Sequence, residues 1–442
     1  MSRTKGPLRR LVATLAVMAL LAGACGNDDD NNNDNDNAGK KKADSGELTG
    51  MKGTTPLTKL DDAFKNRLLS VDKNLKDFNY GAESFDIVVI LSLAAEKAKT
   101  DGLAMANEIN GVTRTGEKCK TFKACKDLIT AGKDIDYDGV AGPGEFSGNG
   151  EPTVGSYGVL EFGDDNRIDD DKTEYKIENA PAEADVPQQA AQGSRRGDGV
   201  LKIGTLLPET GNLAFLGPPE FAGVTLGINE VNAAGGVLGK PVQTTKGDSG
   251  DTSTDIATQT VNRELSEGVD AIIGAASSSV TLTVIDKIVN AGVVMFSPAN
   301  TSKKLSTYDD KGLYFRNAPS DILQGGVLAE VVSGDGHENI GILALDDDYG
   351  TGLAEDFKKA FEESGGKVVD TVIYDPQATG FDPEVDKIKG QDVDAILLIG
   401  FDESSRVLAT MIEKGIGPAD KPLYGSDGNM GNALGENVDA GK

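Results

Sequence analysis

The sequence has no tryptophan, a single histidine and only three cysteines in 442 residues. A zinc cluster, a haem, an iron–sulfur centre or a His-dependent triad each needs more of these side chains than the chain carries, so no cofactor is expected. The lone His337 sits in the polar turn Asp335-Gly-His-Glu-Asn339 with no Ser or Cys nucleophile pattern beside it, and reads as a surface residue. Positive charge is also short. The 44 Lys and Arg against 71 Asp and Glu leave a net charge of −27. No basic stripe offsets this, so a nucleic-acid partner is excluded by repulsion from the phosphate backbone. A Walker A loop and a Gly-x-Gly-x-x-Gly after a strand are both missing. Aromatics make up 5% of the chain while glycine is abundant at 56 residues, which suits an α/β protein with many tight turns. With no nucleophile–base pair in view, composition favours a binding protein over an enzyme.

What is present begins with an export signature. Arg3, Lys5, Arg9 and Arg10 precede an apolar run from Leu11 to Leu21. A run of that length is a signal-peptide core and is too short to cross a bilayer. It ends in Leu21-Ala22-Gly23-Ala24-Cys25, which resembles a bacterial lipobox, where the cysteine is diacylated and tethers the chain to a membrane. The lipobox pattern wants Leu where Ala22 stands, so conventional cleavage after Ala24 remains the alternative. The Asn/Asp-rich stretch that follows, to about residue 47, has nothing to bury and reads as a solvated tether.

Cys119 and Cys125 lie close together in Lys118-Cys119-Lys120-Thr121-Phe122-Lys123-Ala124-Cys125. An exported chain allows a disulfide between them. A metal site would want a further soft ligand, and none is near. Asp134, Asp136, Asp138-Gly139 and Glu145 match the spacing of an EF-hand loop, but Gly142-Pro143-Gly144 forbids the exit helix. No metal is expected.

From Val200 onward, short apolar runs (201–207, 269–275, 292–296, 340–345, 368–374 and 395–399) alternate with helical stretches, the pattern of βαβ units in a parallel sheet. Residues 48–178 read differently. Helical patterns over 57–70, 82–98, 102–109 and 120–130 precede strand-like runs at 144–146 and 156–162. These helices have little sheet of their own and must pack on something made elsewhere in the chain. Between the segments, 179–198 is rich in Pro, Ala, Gln, Gly and Ser and reads as a linker.

Six motifs now stand in order: Gly204-Thr-Leu-Leu-Pro-Glu-Thr-Gly211, Ile228-Asn-Glu-Val-Asn-Ala-Ala-Gly235, Gly274-Ala-Ala-Ser277-Ser278-Ser279, Ser297-Pro298-Ala299-Asn300-Thr301, Asp348-Tyr349-Gly350 and Tyr424-Gly425-Ser426-Asp427-Gly428. Together they resemble the type 1 periplasmic solute-binding proteins of ABC transporters, in the branched-chain amino acid class. That family continues into a Gly-rich strand, a helix pair and a closing hairpin. Similar stretches stand here at the front, as Leu48–Thr55, Tyr80–Val88, Asp138–Pro143 and Gly148–Pro152. The chain therefore resembles a circular permutant of the family. The resemblance implies two Rossmann-like α/β sandwiches joined by a hinge. Lobe 1 would be 199–318 with 57–150, and lobe 2 would be 319–442 with 48–56 and 153–176.

An amino acid zwitterion needs a helix N-terminus for its carboxylate, an acid for its ammonium and an apolar wall for its side chain. Ser277-Ser278-Ser279 follows a strand and opens an apolar-periodic helix, and one serine serves as N-cap while others are spare. By the resemblance Ser278 faces the ligand, Ala299, Asn300 and Thr301 line the same cleft, and Asp427 meets the ammonium. Phe215, Leu216, Tyr349, Phe401 and Tyr80 are the candidates for the wall, although core packing competes for each.

The resemblance implies an extracytoplasmic, membrane-anchored component of an ABC importer. It would close on a small amino acid and deliver it to a permease without covalent chemistry. Urea, a short amide or an aromatic acid is the alternative in the same fold. A ligand-sensing receptor is the alternative from another class, and no signalling domain follows the fold in this sequence.

Overall fold

The structure is a computed structural model that describes residues 46–180, 187–439 and 441. The export signature, Cys25 and the tether up to residue 45 lie outside the described residues. The front segment carries β1 (Lys52–Pro56), α1 (Asp62–Val71), α2 (Gly81–Ala98), β2 (Glu117–Cys119), α3 (Phe122–Thr130), β3 (Ile135–Tyr137), β4 (Val154–Glu161) and β5 (Glu174–Asn179). The back segment opens with β6 (Lys202–Leu206), α4 (Gly217–Ala233), β7 (Gln243–Thr245), α5 (Ile256–Glu267), β8 (Ala271–Gly274), α6 (Ser278–Asn290), β9 (Val294–Ser297) and β10 (Tyr314–Arg316). It continues through α7 (Asp321–Gly334), β11 (Asn339–Leu345), α8 (Gly350–Glu363), β12 (Lys367–Tyr374), α9 (Asp382–Lys389), β13 (Ala395–Ile399), α10 (Ser404–Glu413), β14 (Leu423–Gly425) and α11 (Asn432–Asp439). None of the described helices is long and apolar enough to cross a membrane.

Two sheets form the frame of a two-lobed α/β fold. In lobe 1 the strands run β10-β9-β8-β6-β7, all parallel. Their inner residues, such as Ile203, Ile272 and Phe296, are fully buried because helices cover both faces. In lobe 2 the order is β12-β11-β13-β14-β1-β4-β5. The first five strands are mutually parallel, and the antiparallel β4–β5 pair closes the edge. A small parallel pair, β2–β3, stands apart.

The front segment enters both lobes. β1 lies between β14 and β4, pairing Gly53 with Gly425 on one side and with Leu160 on the other. α2 supplies Ile87, Leu91 and Ala94 to the lobe 1 core that contains Ile203 and Phe296. Every residue of α2 from Gly81 to Ala95 is buried, as expected of a helix that is apolar nearly all round. Its first turn lies against α4 so closely that a Cβ at Gly223 would come within 2.2 Å of the Gly81 carbonyl oxygen. Only glycine permits that approach.

Several expected elements shift. The helix drawn from Leu57 begins only at Asp62, where the Asp61 carboxylate caps it by accepting from Phe64 N at 2.7 Å. The stretch 102–109 forms a 3₁₀ turn, Leu103–Glu108. The strand expected at 144–146 reduces to one bridge between Phe146 and Pro152, because Gly144 and Glu145 both adopt positive φ and leave the extended region. β2, β3, β5, β7 and β10 have no counterpart among the expected strands. The linker begins after β5 rather than inside it. From residue 187 it is irregular but tied down: Arg195 Nη2 reaches Asp270 Oδ1 at 3.0 Å, and the Asp101 carboxylate accepts from the amides of Asp198, Gly199 and Val200.

The acidic EF-hand-like residues hold an ammonium. Lys118 Nζ lies 2.9 Å from Asp136, 2.9 Å from Asp138 and 3.4 Å from Glu145. The sulfurs of Cys119 and Cys125 stand 2.14 Å apart, within bonding distance.

Because β1, β4 and α2 complete cores made by the back segment, residues 198–442 expressed alone are expected to lack a cooperative melt by circular dichroism. Adding the 46–180 fragment should restore one. A cooperative melt of 198–442 by itself would contradict this packing.

Candidate functional site

Besides the linker between β5 and β6, three connections join the lobes: β1 to α1, β3 to β4, and β10 to α7. Between the lobes the strand ends face each other across a cleft, the usual ligand position in α/β sheets. The cleft encloses a cavity of about 20 Å³ lined by Tyr80, Leu213, Leu216, Ala276, Ser277, Ser278, Ala299, Thr301, Tyr349, Phe401, Asp427 and Gly428. That volume holds about one water, so the lobes must part to admit a solute.

β8 delivers the serines. A Cβ at Gly274 would lie 2.0 Å from the Leu206 carbonyl oxygen, so only glycine fits this turn, where φ is +129°. The three hydroxyls then divide their tasks. Ser277 caps α6, its Oγ accepting from Val280 N. Ser278 Oγ accepts from the amides of Thr301 and Ser302 at 3.3 and 3.2 Å, tying the ends of β8 and β9 together. Ser279 reaches across the cleft, donating to Asp347 Oδ2 at 3.1 Å and accepting from Asp348 N at 3.0 Å. The N-terminus of α6 thus opens on the cavity, a place suited to an anion.

Opposite lies Asp427, just after β14 and 5% exposed. Its Oδ1 accepts from Tyr349 OH at 2.7 Å and Gln324 Nε2 at 2.8 Å, and its Oδ2 accepts from Tyr80 OH at 2.9 Å. Burial pushes its pKa up, and these three donors oppose the rise. None of the twelve lining residues is a lysine or arginine. Tyr349 stacks on Phe401 with ring centroids 5.3 Å apart and an interplanar angle of 12°, while Leu213 and Leu216 close the lobe 1 side. Tyr80 holds a left-handed backbone, φ 60° and ψ 6°. A bulky residue there costs about 1–2 kcal/mol, and the same backbone points its hydroxyl across the cleft.

Eight of the ten residues expected at the site therefore meet around one cavity. Two do not. The Asn300 side chain is spent inside lobe 1: its Nδ2 donates to Ala276 O at 2.8 Å, and its Oδ1 accepts from Thr281 and Tyr314 at 2.7 and 2.9 Å. Phe215 packs toward Gly431 and the lobe 2 core rather than lining the cavity. Leu213 and Gln324 were missed. Leu213 sits in an irregular turn with no periodicity to mark it, and Gln324 is hidden in an ordinary helical pattern. His337 is half-buried, edge-on to Tyr424 at 5.8 Å, not simply exposed.

Charge also bridges the lobes at the rim. Lys303 Nζ meets Asp356 at 2.8 Å and Glu355 at 3.1 Å, and Lys304 pairs with Asp348. Ser302 Oγ donates to Asp348 O at 3.0 Å. Elsewhere on the rim Asn432 Nδ2 donates to Asp77 at 2.7 Å, and Asp402 N donates to Asn212 O at 3.1 Å.

Comparison with known proteins identifies the class. The model of the periplasmic binding protein family matches residues 200–439, and this chain belongs to that family. It is 28% identical over 204 residues to the leucine-, isoleucine-, valine-, threonine- and alanine-binding protein of Pseudomonas aeruginosa, covering 46% of this chain and 54% of that protein. It is 27% identical over 232 residues to the Leu/Ile/Val-binding protein BraC3 of Rhizobium johnstonii, covering 52% and 61%. Among solved structures it resembles the branched-chain amino acid transporter substrate-binding protein LivJ of Streptococcus pneumoniae in complex with isoleucine, at 29% identity and a TM-score of 0.48, covering 55% and 68%. The chain spans between about half and two thirds of the length of the curated relatives it matches.

The rim pairs are solvent-facing, so each contributes only about 0.2–1 kcal/mol, yet together they bias closure. In the Lys303→Ala/Lys304→Ala double variant the closed population, read as a spin-label distance between the lobes, should fall roughly threefold to tenfold, and 1 M NaCl should do the same to the unchanged protein. A distance distribution insensitive to both would remove these pairs from closure.

Proposed function

We propose that this chain is the extracytoplasmic solute-binding component of an ABC importer. It takes a small amino acid with an uncharged, branched-chain-like side chain into the cleft between its lobes. The observation that carries this reading is Asp427: a buried carboxylate on the cavity wall, supported only by hydroxyl and amide donors. An ammonium is the ligand group that such an acid lacks. The α6 N-terminus with Ser278 would take the solute carboxylate, and Thr301 and the Ala299 backbone would frame the α-carbon. Leu213, Leu216, Tyr349, Phe401 and Tyr80 would enclose the side chain, with no cation for an acidic one.

The protein does no covalent chemistry in this reading. Solute selects the closed form, and the permease reads that form. Export and tethering would run through the N-terminal signature, with Cys25 lipidated or the signal cleaved after Ala24. A Cys119–Cys125 disulfide suits that compartment. We further infer a circular permutation: the family model matches the back segment, while strands of the front segment complete the lobe 2 sheet and its helix α2 the lobe 1 core.

Calorimetry against L-leucine, L-isoleucine, L-valine, L-alanine, urea, acetamide and 4-hydroxybenzoate tests the function. Branched-chain amino acids should bind tightly and raise the melting temperature with their excess over Kd. Asp427→Asn should weaken them by roughly 30-fold to 1000-fold, the cost of about 2–4 kcal/mol for losing a buried charge-assisted contact. Binding of 4-hydroxybenzoate or urea alone, unaffected by Asp427→Asn, would overturn the amino acid reading in favour of that ligand.

A further inference from the structure

Asp427 faces the cleft from inside lobe 2, and its three donors come from different places. Tyr80 belongs to lobe 1, so its bond to Oδ2 breaks when the lobes part. Tyr349 and Gln324 belong to lobe 2, and both hold Oδ1. A carboxylate oxygen has two good acceptor directions. Oδ1 is therefore filled in either conformation, while Oδ2 accepts from Tyr80 alone and keeps its second direction for a solute in the closed form.

Gln324 is fully buried in the first turns of α7, beneath the cavity rather than in its lining. Its Nε2 faces two acceptors, Asp427 Oδ1 at 2.8 Å and the Thr54 carbonyl oxygen of β1 at 3.4 Å. A flipped amide would set oxygen against both, so its orientation is dictated. Its own Oε1 has no partner among the described residues. Burying an amide half-satisfied is costly, and a core position that needed only volume would be filled by Leu or Met.

Among the described residues no cation pairs with Asp427. Tyr80 just before α2, Tyr349 just before α8 and Tyr157 from β4 face it as phenols, and Asp321 from α7 faces it as a second acid. Nearby Arg316 on β10 is committed to Glu151 and to the carbonyl of Ser302. We propose that Gln324 is the positioning residue of the ammonium-binding acid: its amide pins Asp427 Oδ1 and turns Oδ2 toward the cleft. The proposal rests on the reading of Asp427 as the acceptor for the solute ammonium. Removing the amide leaves burial less opposed, so protonation of Asp427 should begin at higher pH.

The test is a carbon-13 carboxyl titration of Asp427 in the full chain, assigned with Asp427→Asn, alongside calorimetry with L-leucine from pH 5 to 8.5. Gln324→Met keeps the volume and removes the donor. Gln324→Asn, which withdraws the amide by one methylene, serves the same titration if the Met variant does not melt cooperatively. The midpoint is expected to rise by about one pH unit. The pH below which L-leucine affinity falls should rise with it, giving a loss of roughly tenfold on the acid side that shrinks toward pH 8.5. An unmoved midpoint, or an affinity loss equal at every pH, would overturn the role of Gln324 and leave it a packing residue. If the unchanged protein binds no amino acid at any pH, the ammonium reading of Asp427 falls first, and the proposal with it.

Discussion

The structure depends on the placement of one short strand. β1 sits in the interior of the lobe 2 sheet, pairing parallel with β14 and antiparallel with β4. Without it the parallel sheet would end at β14 with unpaired backbone groups, and the β4–β5 hairpin would have nothing to join. Asp427 follows β14 by two residues, so the same strand also fixes the carrier of the candidate acid. α2 makes the matching contribution to lobe 1, and Tyr80 at its N-terminus meets Asp427 across the cleft. The front segment thus supplies three of the twelve strands of the two sheets and one residue of the cavity lining, Tyr80.

Within that frame the cleft is poised by opposing electrostatic terms. Burying Asp427 without a cation costs several kcal/mol in general terms, and hydrogen bonds from Tyr349, Gln324 and Tyr80 offset part of it. An incoming ammonium would offset more, and only in the closed form, where Tyr80 and the apolar wall exclude water. A ligand drives closure only through such a difference in affinity between the two conformations. The rim lysines add a weak, salt-sensitive bias in the same direction.

Much of this was legible in the chain. The β-branched runs at 340–345 and 395–399 became β11 and β13 because strands buried on both faces need continuous apolar sequence. The helical pattern over 82–98, with little sheet of its own to cover, marked a helix that packs on the rest of the chain, and α2 is buried from Gly81 to Ala95. What escaped was set by pairing rather than pattern. β5 is a charged edge strand, with Ile177 70% exposed, and its strand character comes from its registration on β4. β7 and β10 are three residues each, too short for any period. At the site, Asp427 and Tyr349 stood out by motif. Asn300 also stood in a motif, Ser297–Thr301, but its amide satisfies three buried groups of lobe 1, a demand visible only in three dimensions. Gln324 lay in the opposite case: its spacing says helix, and its partner is over a hundred residues away.

The most direct test of a single body knitted from both segments is native-state hydrogen exchange. The amides of Thr54 and Thr55 in β1 should exchange only with global unfolding, at the same free energy as Ile342 in β11 and Leu397 in β13. Exchange of the β1 amides by a local opening several kcal/mol below that of Ile342 and Leu397 would contradict the account, because a strand the sheet cannot do without cannot leave it alone.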